Sequence, residues 1–384
     1  MTYVFWISLA TVAYSYLGYP LVLWVLAKLR PTPIAKGALE PRVSVVIAAH
    51  NEADKLAAKI ENLRQVEYPQ EKIEIIISSD GSTDGTSEFL SQAPGIRTVV
   101  SELHQGKAAA INRALDLCTG EIVVFTDARQ SIEPSAFRKL LRNFADPSVG
   151  SVSGELELPN TIDGSGVGLY WRFEKVIRKL ESATGSVMGV TGAFYATRRS
   201  LVAKMPPGLI LDDVFSPLKV MEAGSRVVFE GDAIAWDQPT FSHSIEFRRK
   251  VRTLMGNYEL LEYFPRLILP FGTMGFRFFS HKLLRLVVPW LLIFAYISSA
   301  ALSSAAFYLS LLALQTFFYI AGGIAIGTRT NNKLLKVPGT ICLLNAAALV
   351  SLISFLRRSG DVGNVWQPTS AVTSAEPLSR EARK

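Results

Sequence analysis

Four aspartates of this 384-residue chain lie at or just after the ends of apolar runs, where a carboxylate is well placed to do chemistry. Asp80 ends the run in EIIISSDGSTDGTSEFL (residues 74–90), and Asp127 ends the run in VVFTDA (residues 123–128). Asp212 and Asp213 begin a helical pattern in LILDDVFSPL (residues 209–218). Carboxylate oxygens hold Mg²⁺ together with substrate phosphates, and a partly desolvated carboxylate accepts protons. These aspartates are therefore the candidate ligand-binding residues of the chain.

Three simpler explanations apply to residues 80–85. The pattern Asp-x-Ser-x-Asp-Gly is typical of the start of a calcium loop, but the twelfth position is Ser91, where a bidentate Glu is required. A dinucleotide loop needs Gly-x-Gly-x-x-Gly, which the segment does not contain. Capping of the next helix by Thr83 or Asp84 is compatible with a ligand-facing Asp80, so both interpretations stay open.

Apolar strands alternate with amphipathic helices through the middle of the chain, which predicts an α/β fold with a mostly parallel sheet covered on both faces. Such sheets bind ligands at the carboxyl ends of their strands. We therefore expect Asp80, Asp127 and the residues Asn51 and Glu52 at one edge. The predicted strands are 43–49, 73–79, 95–101 and 121–128, and the predicted helices are 52–65, 83–93, 106–118 and 133–145.

The apolar residues are concentrated at the two ends of the chain. Residues 3–27 carry no charge and exceed the roughly 20 residues that cross a bilayer. A cleaved signal peptide is the alternative, but the segment has no basic n-region and no small-residue cleavage site. Lys28 and Arg30 follow it directly, which favours a retained anchor whose carboxyl end faces the cytoplasm.

Residues 286–303, 306–326 and 338–356 are similarly apolar and uncharged. Three crossings after a cytoplasmic domain put Arg357 and Arg358 outside, against the positive-inside tendency. Either one stretch is re-entrant or the tail is an exception. The net charge of +7 indicates cations facing anionic lipid rather than a nucleic-acid surface, and two distant cysteines indicate that disulfides are not used.

Seven segments together resemble one known family. They are VSVVIAAHNEADKLAAKIENL, IEIIISSDGSTDGT, GKAAAINRAL, IVVFTDAR, GVTGAFYATRRSL, LDDVFSPLKV and EFRRKVRTLMGN, in that order. Over residues 41–285 the chain resembles a membrane-bound family 2 glycosyltransferase with the GT-A fold, the group that contains cellulose, chitin and hyaluronan synthases and many bacterial polysaccharide enzymes.

The resemblance implies roles for individual residues. Asp80 matches the aspartate that accepts a hydrogen bond from the uracil of a UDP-sugar, with Asn51 and Glu52 in the same pocket. Lys107 approaches the nucleotide, and Asp127 holds Mg²⁺ or Mn²⁺ on the diphosphate. Asp213 matches the catalytic base, and its neighbour Asp212 is either a helix cap or an orienting partner.

The chain departs from the family pattern at two places. The Asp-x-Asp element is Asp127-Ala128-Arg129, so either Asp127 alone supports the ion or Arg129 neutralises part of the diphosphate charge. The Gln-x-x-Arg-Trp element begins at Arg249 and keeps Arg252, which suits a bidentate grip on the diphosphate, but has Thr253 in place of the acceptor-stacking Trp. The resemblance therefore supports sugar transfer more strongly than it supports polymer formation.

The residues around this element have simpler explanations as well. The basic segment 246–264 is also typical of an amphipathic helix on the membrane surface. Tyr170, Trp171 and Glu174 line either an acceptor groove or a packed helix face.

The resemblance implies an inverting transfer from a UDP-sugar to a lipid-linked or growing glycan acceptor, in bacterial polysaccharide biosynthesis at the cell inner membrane. The alternatives are a single-addition lipid glycosyltransferase and a non-catalytic scaffold that keeps the fold. The expected partners are donor, acceptor and bilayer, with export or assembly subunits and without nucleic acid. The expected domains are an anchor (1–30), a cytoplasmic GT-A domain (41–245), interface helices (246–284), transmembrane helices (285–357) and a polar tail (358–384).

Overall fold

The computed structural model describes residues 1–158, 166–237, 243–328 and 332–357. The predicted polar tail (358–384) lies outside the described residues, which end at Arg357. Within them, one eight-stranded sheet with the order β3-β2-β1-β4-β7-β6-β8-β5 forms the centre of the middle region. Its strands are β1 Val43–Ala49, β2 Ile73–Asp80, β3 Ile96–Ser101, β4 Ile122–Thr126, β5 Ser131–Ile132, β6 Val149–Glu157, β7 Phe194–Arg198 and β8 Arg226–Trp236.

The sheet is mixed. The four strands predicted from the sequence, β1 to β4, pair in parallel, with Val43 of β1 opposite Ile73 of β2 and Ile122 of β4. The later strand β7 runs antiparallel to both β4 and β6, and β5 runs antiparallel to β8. The α/β class and the flanking apolar helices are confirmed, and the antiparallel pairs all involve strands that the sequence patterns did not predict separately.

Both faces of the sheet are covered, as continuous apolar strands require. Val45 and Ile47 of β1 point into one hydrophobic cluster, whereas Val46 and Ile76 belong to the cluster on the other face. The helices of the middle region are α3 Ala53–Arg64, α4 Thr86–Gln92, α5 Lys107–Leu115, α6 Ala136–Leu141, α7 Gly166–Ala183, α8 Asp212–Glu222 and α9 His243–Tyr263. The predicted helix 133–145 is shorter than expected, because its second half is the 3-10 turn Arg142–Ala145.

Four helical segments are long and apolar enough to cross a bilayer: Thr2–Leu29, Gly272–Ala301, Ala306–Thr328 and Leu335–Leu356. They contain α1 Thr2–Ala13, α2 Tyr19–Leu29, α10 Gly272–Phe278, α11 Leu284–Ala301, α12 Ala306–Thr328 and most of α13 Lys333–Leu356. Residues 272–284 were expected among the interface helices, but α10 continues through a π-helical turn into α11. The basic amphipathic segment is α9 and ends at Tyr263.

A buried polar cluster joins the first and second apolar segments to α7. The Glu181 carboxylate accepts a hydrogen bond from the Tyr19 hydroxyl at 2.7 Å and lies 2.8 Å from Nδ1 of His281. Arg277 donates to the Glu181 carbonyl oxygen at 2.7 Å. Burial alone raises the pKa of Glu181, but the charge and hydrogen bond of His281 outweigh it, so the carboxyl pKa lies below its usual value. Glu174 of the same helix contacts His281 at 3.2 Å, which makes this side of α7 a packed helix face.

Glu181→Ala should destabilise the protein by about 3–5 kcal/mol, because it leaves buried partners without their carboxylate. Thermal unfolding in detergent would show this as a lower midpoint. The matched control is Glu222→Ala, since Glu222 pairs with Lys219 at the surface, where an ion pair contributes about 0–1 kcal/mol. Equal midpoints for the two variants would show that the cluster does not fasten the helices together.

Candidate active site

The site is built at the carboxyl ends of β1, β2 and β4, where the parallel strands were predicted to present their ligand-binding residues. Asp80 is the last residue of β2, and Asp127 follows the last residue of β4. The loop after β1 carries Asn51 and Glu52. The structure therefore gathers the predicted residues of these strands at one edge of the sheet.

Asp80 holds the segment before α5 and the side chain of Arg113 at this edge of the sheet. Its carboxylate is fully buried, and Oδ2 accepts backbone N–H bonds from Gln105 at 3.0 Å and Gly106 at 2.7 Å. Arg113 of α5 pairs with the other carboxylate oxygen. The rings of His50 and His104 lie beside it with their centroids 4.0 Å apart and their planes inclined by 32°, and each has Nδ1 near the Asp80 carbonyl oxygen. The predicted contact of Asp80 with a nucleotide base stays a prediction, while its role in fixing the start of α5 was not foreseen.

The loops after β1 and β2 are tied to each other. Asn51 has a φ of 54°, a left-handed conformation that Asn tolerates, and its side-chain oxygen accepts the Thr83 N–H at 2.8 Å. The Glu52 N–H donates to the Thr86 hydroxyl, and the Glu52 carboxylate pairs with Lys55. Asp84 accepts the Thr86 N–H at 3.0 Å and so ties down the first residue of α4. The N-cap position of this helix is Gly85, however, and the helix has no side-chain cap hydrogen bond, so Asp84 does not occupy the cap position.

Lys107 lies between two of the predicted carboxylates. Its Nζ is 3.1 Å from Oδ1 of Asp127 and 3.1 Å from Oδ2 of Asp212. Burial alone lowers the pKa of Lys107, but the charges of Asp127 and Asp212 outweigh it and hold the pKa above its usual value. Lys107 is therefore a fixed cation that links the end of β4 to the start of α8.

Asp212 does not cap α8, so the capping interpretation is wrong. It is the first residue of the helix, the N-cap position is Leu211, and α8 has no side-chain cap hydrogen bond. The carboxylate instead pairs with the Lys107 ammonium group. The second interpretation, an orienting partner, stays a prediction.

Asp213 has the environment expected of a general base. Burial raises the pKa of its carboxyl to about 6, and the negative charge of Asp212 adds to the effect. Gly192 lies against it, since a β-carbon at Gly192 would be 3.4 Å from the Asp213 Cβ. A carboxyl with such a pKa is ionised at neutral pH and still basic enough to take a proton.

α9 adds a second cation to this group. Burial lowers the pKa of the Arg252 guanidinium, and the charges of Asp212, Asp213 and Asp127 act on it in the opposite direction. Arg249 lies one turn earlier on α9 and repels Arg252. The structure thus brings Arg252 into the electrostatic field of three aspartates from β4 and α8.

Arg129, which replaces the second carboxylate of the Asp-x-Asp element, makes a bidentate pair with Asp237 at 2.8 and 2.7 Å. Gln130 donates to the same carboxylate at 3.1 Å. Asp237 directly follows β8 and was not predicted as a site residue. The pair anchors the turn after Asp127 to β8, and neutralisation of a diphosphate by Arg129 stays a prediction.

Lys59 was also missed by the sequence analysis. Its Nζ is buried behind the Asp127 turn and donates to the Thr126 hydroxyl at 2.8 Å and the Gln130 carbonyl oxygen at 2.7 Å. Burial lowers the pKa of Lys59 to about 7, against the charge of Asp127. The available signal was its position among Leu56, Ile60 and Leu63, on the apolar face of α3.

A divalent ion fits this site through a single carboxylate. The described residues contain no group of three or more His, Cys, Asp or Glu side chains arranged to hold a metal. The Asp127 side chain is 39% exposed at the strand end, however, and Mg²⁺ is commonly held by one or two carboxylates together with substrate phosphates. The donor set therefore suits an ion that arrives with a diphosphate.

Both the sequence and the fold of the chain are similar to those of known glycosyltransferases. The family model for glycosyl transferase family 2 matches residues 44–205. The chain is 25% identical over 231 residues to the poly-beta-1,6-N-acetyl-D-glucosamine synthase of Staphylococcus aureus (strain MSSA476), covering 57% of this chain and 55% of that protein. It is 26% identical over 243 residues to the probable glycosyltransferase YdaM of Bacillus subtilis (strain 168), covering 58% and 57%. The chain thus spans about half the length of these curated relatives.

Among solved structures, the mannosyltransferase PcManGT from Pyrobaculum calidifontis, in complex with GDP-Man and Mn²⁺, is similar over 92% of this chain and 99% of that chain. The TM-score is 0.70 at 24% sequence identity, which shows a shared fold. Residues 44–205 therefore match the model of glycosyl transferase family 2, and the chain has the GT-A fold.

Proposed function

We propose that the protein transfers a sugar, with inversion, from a UDP-sugar to a lipid-linked or growing glycan acceptor at the cell membrane. The single observation that carries this proposal is the meeting of Asp127, Lys107, Asp212, Asp213 and Arg252 at one edge of the sheet. Lys107, Arg252 and Asp127 suit the binding of a diphosphate with its metal ion, and Asp213 supplies a base. The polysaccharide synthase among the relatives supports a role in polysaccharide biosynthesis.

The residues divide the reaction between them. Asp213 accepts the proton of the acceptor hydroxyl while the hydroxyl oxygen forms a bond to the anomeric carbon. The bond from that carbon to the diphosphate oxygen breaks, and its electron pair leaves with the nucleoside diphosphate. Lys107 and Arg252 are the cations placed to offset the charge that grows on the leaving group. Asp127 would hold the Mg²⁺ or Mn²⁺ ion, which supplies further charge neutralisation when bound.

A single addition remains the alternative to polymer synthesis. Thr253 stands where the processive enzymes have the acceptor-stacking Trp, and its hydroxyl donates to the Arg249 carbonyl oxygen at 3.0 Å. Its side chain is therefore engaged with its own helix. This observation favours an acceptor that is held elsewhere, including a lipid-linked acceptor delivered from the membrane beside α9.

The four apolar segments support a multi-pass protein of the cell membrane. We infer that the catalytic domain is cytoplasmic, because Lys28 and Arg30 follow the first segment. Donor supply agrees with this side, since nucleotide sugars are made in the cytoplasm. The proposal also includes partner subunits for export or assembly of the product.

Asp213→Asn should retain UDP-sugar affinity and lose at least about 10²-fold in kcat, the lower end of what general-base catalysis contributes. UDP release in detergent from a panel of UDP-sugars gives the rate, and donor titration gives the affinity. Asp212→Asn is the comparison: it removes one of the two carboxylate partners of Lys107 and should reduce the rate less. Near-normal turnover in Asp213→Asn would refute the base assignment, and absence of UDP release from every donor in the unmodified protein would favour the scaffold.

Asp127→Asn should abolish donor turnover at all Mg²⁺ and Mn²⁺ concentrations, because it removes the carboxylate available to the ion. Arg129→Met should leave the metal concentration for half-activation unchanged and lower the thermal unfolding midpoint, since it strands the buried Asp237 carboxylate. Metal titration of UDP release, with chelator as the reference, gives the half-activation concentration, and thermal unfolding in detergent gives the midpoint. Full activity of the unmodified protein in chelator would contradict the metal proposal.

A further inference from the structure

The apolar segments Thr2–Leu29, Gly272–Ala301 and Ala306–Thr328 form an antiparallel bundle. Direct contacts define the end of this bundle that lies away from the catalytic domain, which we call the far end. The Ser298 hydroxyl of α11 lies 3.9 Å from the sulfur of Met1, and the rings of Phe5 and Tyr308 are 5.3 Å apart. The start of α1, the end of α11 and the start of α12 therefore meet. The opposite end is joined to the catalytic domain, where Tyr19 and His281 contact Glu181 of α7.

α12 returns along α11 to the catalytic end. The Tyr296 hydroxyl lies 3.0 Å from the Thr316 hydroxyl, and Gln315 donates to Ser299 at 3.1 Å. From Thr316 the helix continues to Thr328, about 18 Å further at 1.5 Å per residue. α13 begins at Lys333, only a few residues later, so it starts on the same side as the catalytic domain.

α13 first contacts the last part of α12. Gly339 packs closely on Ala325, because a β-carbon at Gly339 would lie 2.8 Å from the Ala325 side chain. Gly322 faces Cys342 in the same way. These contacts place the first half of α13 against the catalytic end of α12.

The other end of α13 also lies at the catalytic domain. α13 packs along α9, and the ring of Phe355 stacks on Tyr258 with centroids 5.5 Å apart. Tyr258 follows Gly256, which packs directly against Leu211, the residue before Asp212. The last turn of α13 is therefore beside the helix that carries Arg252, on the side where α13 began.

We propose that α13 is not a fourth crossing but a helix embedded in the membrane leaflet on the catalytic side, where it forms a hydrophobic wall along α9. Its 24 residues give about 36 Å, enough to cross a bilayer, which is why length and composition alone select it. Both of its ends lie on one side, however, and a crossing helix has its ends on opposite sides.

The surface of α13 fits a lipid environment. Ala347, Ala348 and Ser351 are buried in the protein, whereas Val350 and Ile353 are 39% and 45% exposed. Further exposed apolar side chains are Val337, Ile341 and Leu356. Lys336 lies near one end of α13 and Arg357 directly follows the other, where cations meet lipid headgroups.

This placement resolves the topology. Three crossings, Thr2–Leu29, Gly272–Ala301 and Ala306–Thr328, leave the C-terminal residues on the catalytic side. Arg357 and Arg358 then obey the positive-inside tendency with a cytoplasmic domain. The inference does not depend on which sugar is transferred, so it can fail while the proposed function holds.

Cysteine accessibility tests the sidedness. In a full-length Cys118→Ala/Cys342→Ala background, Ser370→Cys reports the tail, Ser91→Cys the catalytic domain and Ser304→Cys the α11–α12 connection. An impermeant maleimide is applied to intact and to permeabilised cells. The tail variant should label under the same condition as the catalytic-domain variant and opposite to the α11–α12 variant. A tail that labels together with the α11–α12 connection would overturn the proposal.

Cross-linking tests the contact itself. Tyr258→Cys with Phe355→Cys should join through a short bifunctional maleimide, as should the far-end pair Trp6→Cys with Phe307→Cys, whose rings are 6.1 Å apart. Failure of the first pair while the second joins would contradict the packing of α13 on α9. A fluorophore on Ile353→Cys should be quenched by lipid-borne nitroxides in reconstituted vesicles, and an unquenched signal would place this face outside the bilayer.

Discussion

The Lys107 ammonium group allows the carboxylates of Asp127 and Asp212 to lie close together in the site. Oxygens of Asp127 and Asp212 are each 3.1 Å from its nitrogen, so they are at most about 6 Å apart. Two like charges at that separation repel by about 3 kcal/mol at an effective dielectric constant of about 20. Burial and Asp212 raise the pKa of Asp213, and the same cation lowers it. The position of Lys107 in turn depends on Asp80, which fixes the loop before α5 through Gln105 and Gly106.

Much of the ligand-binding edge of the sheet could be predicted, because it follows from the pattern of apolar and polar residues along each strand. A strand that is apolar on both faces, such as Val43–Ala49, has to be buried in a parallel sheet, and its polar successors then lie at the ligand-binding edge. The orientation of each side chain could not be predicted in this way. Asp80 was placed correctly at the end of β2, but its burial depends on Arg113, 33 residues later.

The supporting residues depend on even longer separations. Lys59 reaches Gln130 across 71 positions, and Arg129 reaches Asp237 across 108. Composition likewise identifies α13 as apolar, but only its contacts with α9 show where it ends. α9 consequently connects the site to α13, since Arg252 lies in the electrostatic field of the aspartates while Tyr258 contacts Phe355 of α13. An acceptor entering from the bilayer would meet the site along this helix.

The most direct test of this account is a titration of the Asp213 carboxyl in the unliganded protein. Difference infrared spectroscopy between the unmodified protein and Asp213→Asn isolates its protonated band, in the presence and in the absence of the Lys107→Met substitution. The account predicts protonation near pH 6 in the unmodified protein and at higher pH in Lys107→Met, because the cation that favours the ionised form is removed. A carboxyl that titrates near pH 4, the usual range for Asp, or a midpoint that does not move with Lys107, would contradict it.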